Sequence, residues 1–373
     1  MGYVLHFPAY AVLVSLLAYM LAVVVIVFFH ELGHFLVGRW SGVKVEAFSI
    51  GFGREVFGFT DKHGTRWKLG WLPLGGYVRF EGDANAASQP DLLAKPGPTS
   101  LQGAKLWKRF LIVLAGPVAN FILAIVIFAL AFMLVGVPVS QPRVDEVLDG
   151  GAAKAAGLMA GDMIRKIDGQ DIKSFADIQD AMMLRDPTPA ALVVERNGQM
   201  LDITLTPRIV EIEDSIGSKV RVTQLGIRHD GKLDPETSEK LGPVAAVEKG
   251  AEQTWLVSKT TLRYIGKIFT GAESASQLHG PIGVAKVAGD TASNGVWYYI
   301  SFIGLISVSI GLINLFPIPM LDGGHLLFYL IEAVLGRPAS PTAQEWSFRI
   351  GLSAILMLMV LVTTNDIFTI FGH

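Results

Sequence analysis

The chain has 373 residues, 51% of them hydrophobic and only 17% charged, with a mean hydropathy of +0.45. Soluble domains carry about 25% charged residues, so part of this chain sits in a solvent other than water. A formal net charge of −2 excludes a strongly basic nucleic-acid binder, and the absence of cysteine excludes disulfides, thiolate zinc sites, iron–sulfur clusters and a cysteine nucleophile.

Spanning the hydrocarbon core takes roughly 20 apolar residues of helix. The first such run extends from about Phe7 to Phe29. No Lys or Arg precedes it and a polar motif follows where a signal peptidase would cut, so an anchored helix is predicted rather than a cleaved signal. Three more runs follow, Phe110 to Val137, Val296 to Leu321, and about Phe348 to Leu361 or slightly beyond. The loop after the first run is rich in Lys and Arg, among them Arg39, Lys44, Arg54, Arg66, Arg79, Lys105 and Arg109, which marks it as cytoplasmic. Both termini and the long segment between the second and third spans then lie outside, while the short link holding Arg337 and Arg349 lies inside.

Within that loop, Val43 to Phe80 alternates apolar and polar residues with glycine punctuation, which predicts β-hairpins whose apolar faces meet the bilayer or the helices. Residues 84–100 are rich in Pro, Gly, Ser and Ala and read as a loop. Residues of about 140 to 210 read as a compact α+β domain. It has a short helix at Ala152 to Ala156, a strand at Met163 to Ile167, a helix at Phe175 to Leu184, and strands at Ala191 to Glu195 and Leu201 to Thr206 joined through Asn197-Gly198. The order of these elements and the Gly157-Leu158-Met159-Ala160-Gly161-Asp162 run resemble a PDZ domain of the bacterial protease type. Farther on, Val247 to Phe269 can form an amphipathic helix lying on a membrane surface.

The chemistry enters at His30-Glu31-Leu32-Gly33-His34. On a helix, residues i and i+4 share a face, so both imidazoles can bind one metal ion, and Glu31 stands where it can take a proton from a water that zinc activates. Ionisable residues at the end of a membrane span are costly unless they serve a function. A catalytic zinc takes three protein ligands and leaves one position open. Glu46 and Glu55 fall in the expected hairpins, which leaves Asp322, in Asn314-Leu315-Phe316-Pro317-Ile318-Pro319-Met320-Leu321-Asp322-Gly323-Gly324-His325, as the better third ligand. The first and third spans run in the same direction with these motifs at their inner ends, and Gly116-Pro117-Val118-Ala119-Asn120 opens the second span at the same depth.

HELGH in a first span, GPVAN in a second and NLFPIPMLDGGH in a third resemble the site-2 protease family of intramembrane zinc metalloproteases, and a single inserted PDZ-like domain is similar to its regulator-of-sigma-E protease branch. Better-known members of the branch carry two tandem PDZ domains, whereas this chain has room for one. The resemblance implies Zn2+ held by His30, His34 and Asp322, with Glu31 as the catalytic base. It makes Asn314 a candidate for holding substrate or the developing oxyanion. Asn120 is read with it, with an interhelical hydrogen bond as the equal alternative, and His325 is read as interfacial. A peptide bond inside a membrane helix must be unwound before attack, and pairing the freed strand with an enzyme edge offsets that cost; Gly75-Gly76-Tyr77-Val78 is the candidate edge.

The expected architecture is an α-helical polytopic membrane protein of about four spans, with membrane-associated β-hairpins and an inserted α+β PDZ-like domain. Its segments are 1–38 (first span), 39–104 (hairpins and loop), 105–137 (second span), 138–210 (PDZ-like), 211–295 (linker and surface helix), 296–335 (third span) and 345–371 (fourth). The expected activity is proteolysis of transmembrane segments in pre-trimmed single-span proteins resembling anti-sigma factors, and of signal-peptide remnants, in a bacterial inner membrane. The PDZ-like domain would bind peptide ends outside. The rival readings are a membrane-embedded protease of peripheral loops and a non-catalytic PDZ scaffold with structural zinc.

Overall fold

The computed structural model describes residues 9–83, 97–136, 141–182, 185–213, 219–229, 240–271 and 280–371. In chain order, helix α1 (Ala9–Trp40) leads into strands β1 (Val45–Thr60) and β2 (Arg66–Phe80) and helix α2 (Leu106–Leu134). Short elements follow: β3 (Glu146–Val147), α3 (Ala152–Ala155), β4 (Met163–Ile167), β5 (Gln170–Asp171), α4 (Phe175–Met182), β6 (Ala190–Arg196), β7 (Gln199–Leu205), β8 (Arg208–Glu213), β9 (Lys219–Gln224) and β10 (Ile227–Arg228). Helices α5 (Pro243–Phe269), α6 (Pro281–Asn294), α7 (Val296–Leu315), α8 (Asp322–Leu335) and α9 (Pro341–Phe371) complete the order. The chain divides into two compact units, one of residues 1–129, 247–258 and 278–373, the other of residues 130–246 and 259–277.

Four helices among the described residues are long and apolar enough to cross a bilayer: Tyr10–Trp40, Leu106–Leu134, Val296–Leu315 and Thr342–Thr369. They match the four expected runs with shifted ends. The third ends at Leu315, short of the expected Leu321, and a second helix follows it within the 296–335 segment. Pro317 and Pro319 lack the N–H that a helix needs, and Phe316, which precedes a proline, is extended at φ −65° and ψ 143°. The chain therefore leaves α7 at Leu315 and re-enters a helix at Asp322. The turn between them holds Met320 at φ +82°, a left-handed conformation costly for a residue with a side chain.

The hairpin region folds as strands β1 and β2 paired in several segments: Ala47–Ile50 lies between Gly76–Arg79 on one side and Arg66–Leu69 on the other, and Glu55–Thr60 turns back onto Arg66–Gly70. Its near half is anchored. Phe48 stacks on Trp67 at 4.4 Å between ring centres and meets Phe28 and Phe35 of α1 edge-on. Val45, Val78 and Phe80 join the same core, with Ile112 of α2. The far half leaves Val56, Phe57 and Trp71 exposed, as an apolar surface requires if it is to meet something other than water. Residues 84–96 of the expected loop lie outside the described residues. Helix α6 has no side-chain cap of its own. Instead the buried Asp366 of α9 accepts hydrogen bonds from the Gly280 and Gly283 amides at 2.9 and 2.8 Å, satisfying amides that a helix start leaves free.

The second unit holds a four-stranded sheet in the order β5-β4-β6-β7. Ile164, Ile167, Leu192, Val194 and Leu205 from the sheet and Ile178 from α4 fill its core. The Asn197-Gly198 turn forms as expected, both residues at positive φ (52° and 80°), the conformation a two-residue hairpin demands. Burial is the largest influence on Asp162 and opposes its charge, but two hydrogen bonds of 2.7 Å from Arg196, the Met159 amide at 2.8 Å and the Arg196 charge together outweigh it and hold the carboxyl below the usual carboxylate range. The stretch of 211–295 is more than linker and one helix. β8 and β9 form a hairpin, β10 pairs back onto β3, and α6 is a further helix. Arg208 to Glu213 and Lys219 to Gln224 alternate in character, the period-two signal of strands.

Candidate metal centre

His30 and His34 occupy adjacent turns of α1 and are both buried. Their Nε2 atoms lie 3.2 Å apart. The Nδ1–H of His34 donates to the Ile112 carbonyl oxygen at 2.8 Å, which leaves its Nε2 with a free lone pair. Asp322, the first residue of α8, brings Oδ2 to 3.1 Å from His30 Nε2 and Oδ1 to 3.5 Å from His34 Nε2. Its Oδ2 is buried yet accepts no hydrogen bond of good geometry. Among the described residues, these three side chains are the one group placed to hold a metal ion.

The donor set fits zinc. Tetrahedral ligands at about 2.0–2.1 Å from zinc stand about 3.3–3.4 Å from one another; here the two Nε2 atoms are 3.2 Å apart and the carboxylate lies against both, with Oδ2 3.1 Å from His30 and Oδ1 3.5 Å from His34. Two imidazole lone pairs and a carboxylate held this close, with Oδ2 lacking a donor, repel one another unless a cation lies among them. Two nitrogens and one oxygen leave the fourth tetrahedral position open, as a catalytic site requires.

Three features of the sequence bring the group together. Helices α1 and α2 approach closely at two glycines. A Cβ on Gly33 would stand 2.3 Å from the Ala115 carbonyl oxygen, and one on Gly116 would stand 2.2 Å from His34 Nε2 and 2.9 Å from His30 Cε1. The prolines that end α7 let α8 begin at the site. Arg109 of α2 then clamps α8 with a bidentate ion pair to Glu332, at 3.1 and 2.5 Å. Gly116→Ala is expected to weaken zinc binding roughly tenfold or more, since forcing a methyl into a filled site costs about 1–3 kcal/mol. Zinc competition against a chelator, on protein that still purifies as a single species, checks this.

Beside the three residues lies a cavity of about 200 Å3 lined by Glu31, Gly76, Asn314, Met320, Asp322 and His325, among others. The Val78 amide of β2 hydrogen-bonds the Glu31 carboxylate, and Gly76 comes so near that a Cβ there would meet Glu31 Cγ at 3.2 Å. Of the residues singled out from sequence, His30, His34, Asp322, Glu31, Asn314 and Gly76 all come together here. Gly75 does not line the cavity and instead faces the Phe52 ring. Asn120 does not line it either. It is fully buried with its amide against His30 Nδ1, the side of the ring away from the facing Nε2 atoms, so it cannot touch a substrate in the cavity. His325 lines the cavity and packs edge-on against Phe348, a closer place than the interfacial one expected. Tyr329 was not singled out, although Asp322, His325 and Tyr329 share one face of α8 by their spacing.

Comparison with known proteins agrees with zinc as the metal. The sequence model of peptidase family M50 matches residues 18–359. A protein named as a zinc metalloprotease from Rhizobium meliloti is 45% identical over 353 residues, covering 93% of this chain and 94% of its own. One so named from Agrobacterium fabrum is 46% identical, covering 95% and 96%. The metalloprotease MmpA of Caulobacter vibrioides is 40% identical, covering 95% of each chain. The chain belongs to peptidase family M50, the site-2 proteases, and is a membrane-embedded, zinc-dependent metalloprotease.

Proposed function

We propose that this chain performs intramembrane proteolysis, cutting within the membrane-spanning segments of single-span proteins already trimmed outside, and of signal-peptide remnants. The observation that carries the proposal is the position of the donor group: His30 and His34 stand within the apolar helix Tyr10–Trp40, and Asp322 follows the apolar helix Val296–Leu315. A soluble substrate has no reason to be met there. A membrane span does.

In this reading His30, His34 and Asp322 hold the zinc and Glu31 is the base. Zinc, when bound, polarises the scissile carbonyl and lowers the pKa of water. The Glu31 carboxylate takes the proton of the attacking water and returns it to the leaving amine, and the Val78 amide keeps the carboxylate aimed. The Asn314 side chain, in the same cavity, offers an amide N–H to the carbonyl oxygen as negative charge develops on it. The substrate helix must lose its own hydrogen bonds to be cut. The β2 segment Gly76-Tyr77-Val78 borders the cavity and supplies backbone partners for the extended strand. The second unit acts as a PDZ-like domain that recognises peptide ends on the outer side of a bacterial inner membrane, with both termini outside and the cutting site towards the cytoplasm, a reading that the Lys and Arg distribution supports. Substrates of the anti-sigma-factor kind, with a short trimmed outer end, fit that arrangement.

The test uses two reporters in proteoliposomes with the purified full chain, one whose only susceptible bond lies inside its span and one whose only such bond lies in a flanking loop. Cleavage of the first alone is expected. Cleavage of the loop reporter alone would replace this proposal with a protease of peripheral loops.

A further inference from the structure

We infer that Asn120 is a positioning residue for His30: its side-chain carbonyl accepts the Nδ1–H of the ring and thereby points the Nε2 lone pair at the zinc. This rests on the reading of His30 as a zinc ligand. Asn120 is 0% exposed, and its Nδ2 is placed 3.2 Å from His30 Nδ1 while its Oδ1 is buried without a partner. A neutral imidazole that gives its Nε2 lone pair to a metal must carry its proton on Nδ1. With the amide placed that way round, two donors would face each other and a buried oxygen would have nothing to accept. A half-turn of the amide, which exchanges two atoms of nearly equal size, removes both faults by setting Oδ1 against Nδ1–H.

The arrangement repeats what α2 does for the other ligand. The Ile112 carbonyl fixes His34 through Nδ1 at 2.8 Å. Ile112, Gly116 and Asn120 lie at successive i+4 positions, one stripe of α2 matched to the i, i+4 pair of histidines on α1. Gly116 leaves the gap between the two contacts. The backbone at Asn120 is itself held, since Ser307 Oγ of α7 donates to its carbonyl oxygen at 2.9 Å. Partners of this kind set ring tautomer and orientation, and their loss typically weakens metal affinity by roughly 10–100-fold.

The test measures the zinc dissociation constant of the purified full chain by chelator competition in four forms: wild type, Asn120→Leu, Asn120→Asp and His30→Ala. The expected result is roughly 10–100-fold weaker binding in Asn120→Leu and near wild-type binding in Asn120→Asp, whose carboxylate accepts the same proton. Unchanged affinity in Asn120→Leu, or equal losses in both Asn120 variants, overturns the inference, the second result marking a packing role. If His30→Ala keeps its zinc, it is the ligand reading that fails instead. Should Asn120→Leu not fold, nitrogen-15 histidine spectra of zinc-loaded wild type and Asn120→Asp decide. The His30 Nδ1–H proton moves downfield in Asn120→Asp if the side chain at 120 is its acceptor, and an unmoved signal overturns the inference.

Discussion

Glu31→Gln is expected to abolish cleavage of a span-cut reporter while leaving the zinc content of the purified protein at the wild-type level. The substitution keeps the shape of the side chain, and the amide oxygen can still accept from the Val78 N–H. What it removes is the ability to take up a proton. General acid–base catalysis contributes about 10²–10⁴ in rate, and here one group serves both proton transfers, so the loss falls at the upper end of that range. None of the three grouped metal-site side chains is altered. Elemental analysis and reporter turnover therefore part company in this variant. Turnover within tenfold of wild type would mean that another group in the cavity is the base, and His325 and Tyr329 are the titratable side chains lining it that would then need testing.

The two halves of the site differed in how far they could be read from sequence. The histidine pair was legible because a helix converts a spacing of four into a shared face, and α1 is a helix throughout. Asp322 was legible through topology, as a polar motif at the inner end of a span running the same way as the first, and through the resemblance its motif carries. The break that delivers it was legible as Pro317 and Pro319, which cannot continue a regular helix, although the restart of a helix at Asp322 was not. The contacts made by the two histidine rings were not legible at all. Ile112 offers a backbone oxygen, and every residue has one; only the approach of α2 to α1 makes it matter. Asn120 was visible as a polar residue in an apolar helix, but whether its amide met substrate or a neighbouring ring depended on which way α2 is rotated. In the second unit the Asn197-Gly198 turn was legible from local chemistry alone, whereas the pairing of β10 with β3, across some eighty positions, was not.

Asp322→Asn is expected to strip the zinc. The substitution replaces an anionic oxygen by a neutral one and sets an NH2 group beside the two imidazole lone pairs, which now find hydrogen-bond donors where they had faced a cation. Both changes favour the metal-free state, so the loss of affinity should exceed the roughly 10–100-fold that follows removal of a merely supporting partner. The alternative is that Asp322 matters only by holding α8 in place. Glu332→Gln separates the two. It weakens the clamp to Arg109 on the same helix, an ion pair with each side chain 16% exposed, without altering any of the three donors. If Asp322 is a ligand, Glu332→Gln keeps most of its zinc while Asp322→Asn loses it under the same chelator. If both variants lose zinc equally, helix placement accounts for the effect. If Asp322→Asn keeps full occupancy, the carboxylate is not a ligand, and the buried Oδ2 without a donor must have some other cationic neighbour. The closeness of the carboxylate to both imidazoles, Oδ2 at 3.1 Å from one and Oδ1 at 3.5 Å from the other, argues against that last outcome, because groups sharing one ion are held together in this way.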